Sequence, residues 1–241
     1  MAHKRQLSRA AQQSAAYAVT GAPWTLTGPL LGGALLSMAG YLLVAGLSAI
    51  GALASGLDQT IGRAGLSILI PFVAAVVLVS SLMTRSFGHP VQEYFWGAVL
   101  MILMGPFVGM AVGYALRVDP TAVASAGLAV GTSLGITALI AYLSPWDLTR
   151  LSGLAGMGLL GLLVTETAAL FLAPALGVVL SPWWSFAGIA VFELYLVVDF
   201  SRIRTALRYG PRTGLAAYLG LNLALDVINL FLFFLQSRVR R

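Results

Sequence analysis

The sequence predicts an all-α integral membrane protein, a bundle of seven transmembrane helices in one domain. Three observations carry that expectation. Hydrophobic residues make up 59% of the 241 and charged residues only 9%, with a mean hydropathy of +0.91, whereas a soluble domain has about a quarter of its residues charged. Apolar runs of about 20 residues, long enough to cross a bilayer as helices, follow one another and fill the chain, leaving no room for an aqueous domain. Arginines gather in alternate connections, the pattern that fixes cytoplasmic loops.

Residues 1–29 hold Lys4, Arg5 and Arg9 and then turn Ala- and Gln-rich. They read as a cytoplasmic amino-terminal tail rather than a signal peptide, because the apolar run after them is long and many more follow. The single membrane domain is 30–241, and its first span covers 30–53. Ser55, Asp58, Gln59, Thr60 and Arg63 make an outer loop before the second span, 66–83, which Pro71 is expected to break near its start. Arg85 lies in the return to the inner side, and Gln92 and Glu93 lead into the third span, 94–116.

The turn Arg117-Val118-Asp119-Pro120 is so short that the third and fourth spans, the latter 121–143, must be antiparallel neighbours. Gly105, Gly109 and Gly113 on one and Gly127, Gly131 and Gly135 on the other recur every four residues, on one helix face each. Glycine there lets backbones approach closely in lipid, so a tight hairpin of these two helices is expected. An inner loop follows, with Trp146 suited to the interface and Asp147 to capping the next helix. The fifth span, 151–172, contains Glu166, and an uncharged connection with Trp183 and Trp184 leads to the sixth, 185–205. Arg202, Arg204, Arg208 and Arg212 form the densest basic cluster before the seventh span, 215–236. This topology leaves only Arg63 and Arg117 in outer loops. Arg238, Arg240 and Arg241 disagree with it, unless the last helix only dips into the membrane.

The absence of cysteine excludes disulfides, thiolate metal sites and cysteine nucleophiles. Net charge is +6, and no basic stretch alternates with exposed aromatics, so the excess reads as membrane orientation and not as nucleic-acid binding. No cofactor is expected.

Function is signalled by Asp199 and Asp226, one in each of the last two apolar spans. A carboxylate at the centre of a membrane helix costs roughly 2.5 to 3.5 kcal/mol on insertion scales, so two in adjacent spans need a reason. Two carboxyls sharing a desolvated site cannot both ionise cheaply, and such a pair holds one proton between them. Protonated, it ties span six to span seven; doubly ionised, the helices repel or a divalent cation takes the proton's place. Calcium suits the pair as ligand, since it accepts only oxygen and tolerates irregular geometry. The structural alternative is a salt bridge from Asp199 to Arg202 at i+3, with Asp226 hydrogen-bonded to Asn222. Glu193 and Glu166 lie in the outer half of their spans, ~13 Å below the surface for Glu193 at 1.5 Å per residue. They extend the expectation to an acidic cation path from Glu166 and Glu193 to Asp226 and Asp199.

The segments Phe192-x-Leu-Tyr195-x-x-x-Asp199 and Leu223-x-x-Asp226-Val-Ile-Asn229-Leu-Phe231 resemble the two most characteristic patches of the Bax inhibitor-1-like (transmembrane Bax inhibitor motif) family. Span number and the basic inner loop before the last span agree. The resemblance implies a membrane protein that leaks calcium in a pH-dependent way, with Asp199 and Asp226 as the sensor and an arginine of the second span, here Arg85, latching one of them. Val198 stands where the family has tyrosine, and Arg202 stands where it has an amide, which makes Arg202 a second latch candidate.

Other functions read less well. An aspartyl intramembrane protease would place Pro174-Ala175-Leu176 after both aspartates, whereas here it precedes them. Gly131-Thr132-Ser133-Leu134-Gly135 spells a serine nucleophile elbow inside a glycine-striped span, with His3 and His89 as the chain's histidines, so no enzyme is expected. A non-transporting regulator that binds another membrane protein is the main alternative to the leak; lipid-facing small residues would favour it, and acids converging inside the bundle would favour the leak. The expected location is a prokaryotic plasma membrane.

Overall fold

Backbone in hydrocarbon must satisfy its own polar groups, and a helix does so within one segment. The structure, a computed structural model, describes residues 23–57, 59–60, 66–85, 89–176, 182–206 and 214–239, without the side chains of 23–29, 66–70, 72–73, 83–85, 90, 167–176 and 182. Seven long helices occupy them: α1 (Pro23–Ser55), α2 (Leu66–Arg85), α3 (Pro90–Val118), α4 (Pro120–Leu143), α5 (Ser152–Leu176), α6 (Pro182–Ala206) and α7 (Leu215–Val239), with a 3-10 turn Leu148–Leu151 before α5. No strand occurs among the described residues. Five of these segments are long and apolar enough to cross a membrane, and α6 carries Glu193, Asp199, Arg202 and Arg204. The protein is all-α.

The helices overrun the expected spans, and α1 begins at Pro23, within the stretch read as tail. Pro71 does not break α2, which is continuous from Leu66. At the sixth helical position proline removes one backbone bond, close to a turn whose N–H groups have no intrahelical partner in any case.

Proline matters more in α3. Pro106 has no N–H, so the Ile102 carbonyl one turn back has no helical donor. Ser48 Oγ of α1 donates to that carbonyl at 2.8 Å. The neighbouring glycines admit α1 there: a Cβ on Gly105 would run into the Ser48 side chain, and one on Gly109 would stand 2.8 Å from the Ala49 carbonyl oxygen. The α1–α3 seam is the most extensive helix contact in the bundle.

The expected glycine hairpin of α3 with α4 is therefore not formed. Gly127, Gly131 and Gly135 are exposed, with nothing within 4 Å of where their Cβ atoms would lie. The short turn does keep α3 and α4 adjacent, but alanines make the contact: Ala115, Ala122 and Ala126 form one buried cluster with Leu235 of α7. Asp119 caps α4, its Oδ1 accepting from Thr121 N at 2.9 Å and Thr121 Oγ1 at 2.7 Å.

Helix α7 is the axis of the bundle, packed against α1, α3, α4 and α6. Its buried residues, from Ala217 through Asp226 to Ser237, cover about two thirds of its circumference, and the face with Asn229, Leu232 and Gln236 is only partly buried. A Cβ on Gly220 would stand 2.6 Å from the Ala34 carbonyl oxygen, so α1 crosses α7 almost backbone to backbone. Helices α2 and α5 are peripheral, α2 packing on α3, and α5 on α6 and the 3-10 turn. At one end the Arg204 guanidinium donates to the Ser144 and Trp146 carbonyls. Asp147 caps the 3-10 turn there, accepting from Thr149 N at 3.1 Å. This basic end ties α4, α5 and α6 together.

Candidate functional site

Asp199 lies seven residues before the end of α6 and Asp226 eleven after the start of α7. At 1.5 Å per residue they stand ~10 and ~16 Å from the basic end, inside the bundle. Both are buried, at 2% and 8% exposure. Their surroundings are large and apolar, with Phe192, Leu196 and Phe200 of α6 and Leu223, Val227 and Leu230 of α7 in one core cluster.

The structure brings the two aspartates into one electrostatic group, in which Asp226 feels the charges of Asp199 and Arg202. Tyr195, one turn before Asp199, feels all three. Arg202 Nη1 donates to Asp199 Oδ1 at 2.7 Å, and Arg202 is 40% exposed where its partner is 2%. The arginine thus reaches back one turn along α6 to the carboxylate while part of its side chain stays exposed. Asp226 Oδ2 has no hydrogen-bond partner, so Asn222 does not serve it, and neither does the fully buried Ser201 Oγ. A buried carboxylate with an unserved oxygen is costly unless a proton or a cation neutralises it.

The other expected residues lie elsewhere. The Arg85 side chain falls outside the described residues. Glu193 is partly buried on α6. Glu166 is exposed on α5 and lines a cleft of about 530 Å³ between α3, α5 and α7, whose lining includes Asn229 and Gln236 but none of Glu193, Asp199 or Asp226. Asn229 follows Asp226 by about one helical turn, so the cleft lining comes within a turn of that aspartate. Among the described residues no three acidic or histidine side chains gather as a metal site. Two carboxylates fit an ion in passage better than a resident one.

Glu93 was given no role by the sequence. It is 1% exposed in the first turn of α3, and its carboxylate occupies the place a Cβ would take on Gly214, which has φ +85° and precedes α7. An acid against a helix amino terminus is favourably placed. Tyr41 Oη donates to the Glu93 carbonyl at 3.4 Å, and Ser37 Oγ and Tyr94 Oη lie 2.8 Å apart beside it. No sequence signal links Glu93 to Gly214, more than a hundred residues on; only the left-handed conformation that glycine favours hints at a tight place.

A family model described as "Inhibitor of apoptosis-promoting Bax1" matches residues 29–237. No curated protein matches the chain.

Proposed function

This chain belongs to the family of inhibitors of apoptosis-promoting Bax1, a multi-pass integral membrane protein, and on that premise we propose that it is a pH-sensitive cation leak. Calcium is the ion it passes, and the Asp199–Asp226 pair gates it. The observation that carries this reading is the buried Asp226, with one oxygen unserved, beside an Asp199 that Arg202 holds. With one proton on the pair, α6 and α7 stay docked. When the proton leaves, two carboxylates face each other in low dielectric, and either the helices part or a divalent cation replaces the proton. Asn229 and the cleft supply the approach from the end away from Arg204, with Glu166 its charged group and Glu193 a candidate further in. Arg202 is the latch, and the reading involves no catalytic step. The amino terminus lies in the cytoplasm of a prokaryotic cell, on the side of the basic end.

The test is calcium flux into proteoliposomes across about pH 5 to 8, for the wild type and for Asp199→Asn and Asp226→Asn. Flux that varies with pH in the wild type and loses that variation in either variant supports the gate. Three folded proteins that are equally tight at every pH would sink it.

A specific observation favours the second reading, a regulator that docks on another membrane protein. Gly127, Gly131 and Gly135 face open space on α4, as a helix-docking stripe would. In such a non-transporting regulator Gly131→Leu should abolish capture of the partner by a chain that still folds.

A further inference from the structure

The cleft between α3, α5 and α7 is walled chiefly by carbon. Phe107, Tyr114 and Phe233 bring three aromatic rings to it, and among the described residues Glu166 is the charged one in its lining. Asn229 and Gln236 stand two turns apart on one face of α7, and the Gln236 Oε1 is held by Ser185 Oγ at 3.0 Å. Glu166 and Asn229 each lie ten residues before the end of their helix, ~15 Å in at 1.5 Å per residue. Tyr114 and Gln236 stand nearer the ends of α3 and α7.

This lining selects a class of ligand. A metal ion that is to stay bound asks for several oxygens at close range, whereas the described walls offer one carboxylate, two amides and a phenol spread among rings and aliphatic side chains, enough to let an ion pass but not to hold it. A cation whose charge sits inside apolar arms gains on both counts. Its charge finds a carboxylate and aromatic faces away from bulk water, and its arms find carbon.

We propose that this cleft binds an organic cation with apolar substituents, of the quaternary ammonium or phosphonium kind, its charge resting at Glu166 and its arms among Phe107, Tyr114 and Phe233. The site stands on its own lining, whether or not the aspartate pair conducts.

The experiment is equilibrium binding of radiolabelled tetraphenylphosphonium to the full chain in nanodiscs. Saturable binding is expected, weakened about tenfold by Glu166→Gln, the loss of one charge contact. Ala111→Phe, which fills the cleft from α3, should abolish it. Neutral triphenylphosphine oxide should compete at least about tenfold less well. Asp199→Asn and Asp226→Asn should leave binding within about twofold, so that failure of the gate and failure of this site show in different measurements. Binding no greater than to protein-free nanodiscs overturns the proposal. So does binding that survives both cleft variants, or that vanishes in Asp226→Asn alone. Should Glu166→Gln not fold, Ala111→Phe and the comparison of charged with neutral probe decide.

Discussion

Two helix seams in this bundle are built on opposite rules. Where α1 meets α3, small residues let the backbones touch, and the carbonyl that Pro106 frees at Ile102 is answered by Ser48. Where α6 meets α7, large side chains such as Phe192, Phe200 and Leu223 surround two aspartates, and Asp226 Oδ2 and Ser201 Oγ go unanswered. Lipid gives helices no hydrophobic reason to associate, so a seam that only has to hold is best made of close contact and satisfied polar groups. A seam that keeps unserved oxygens among bulky groups gives up some of that stability. Such sacrifices gather where a protein has to change state or bind.

The sharpest way to break the comparison is to fill the first seam. Gly105→Leu must displace Ser48 and its bond to Ile102, a loss of about 3 kcal/mol by overpacking and a lost hydrogen bond together. The same change at Gly131, which faces open space, should move stability by less than about 0.5 kcal/mol. Melting followed by size exclusion in detergent separates the two. Equal melts would mean that the α3 stripe is not a seam.

The second seam is tested by unpairing it. Arg202→Ala leaves Asp199 buried with no counter-charge. The full cost of breaking a buried pair, discounted because Arg202 is 40% exposed, comes to about 2 kcal/mol. Adding Asp199→Asn removes the stranded charge, so the double variant should melt above Arg202→Ala. A double variant that melts lower would mean that Asp199 is held by something other than Arg202. Ser48→Ala is the milder counterpart in the first seam: the Ile102 carbonyl loses a neutral donor, for about 1 kcal/mol, and Ser48→Thr should recover part of it.

Much of this contrast was legible in the sequence, and unevenly so. Helix number, order and approximate bounds followed from apolar run length, which the bilayer imposes on any chain. Asp199 and Asp226 stood out because charge in such a run is rare. The choice between partners was not legible. The stripe at Gly105 and Gly109 says that some backbone comes close, and nothing in the local spacing says whether it belongs to α1 or α4. Ser48 could be paired with Pro106 only after α1 was placed beside α3. Glu93 looked like a helix flank, since its burial depends on where α7 begins. These three misses are long-range contacts, which a period of four residues along one helix cannot encode; the unbroken helix at Pro71 is a local one.

Asp119 supplies the smallest expected effect and a control for the rest. Unlike Asp226, which lies inside α7, it caps a helix from outside the spans, only partly buried, and Thr121 serves its Oδ1 twice. The Thr121 side-chain and backbone hydrogen bonds hold its carboxyl below the usual carboxylate value, burial opposing them only weakly. A carboxyl lowered in the folded state stabilises fully above the ordinary carboxylate range and ceases to do so as pH falls through the lowered value. Asp119→Ala should therefore melt slightly below the wild type at neutral pH and together with it in strong acid. A gap that persists in acid would show that the cap works through its neutral form. Under the proposed gate the aspartate pair differs from it in kind: a change of proton at Asp119 alters how firmly one helix end is tied, whereas a change of proton between Asp199 and Asp226 would alter whether α6 and α7 stay docked.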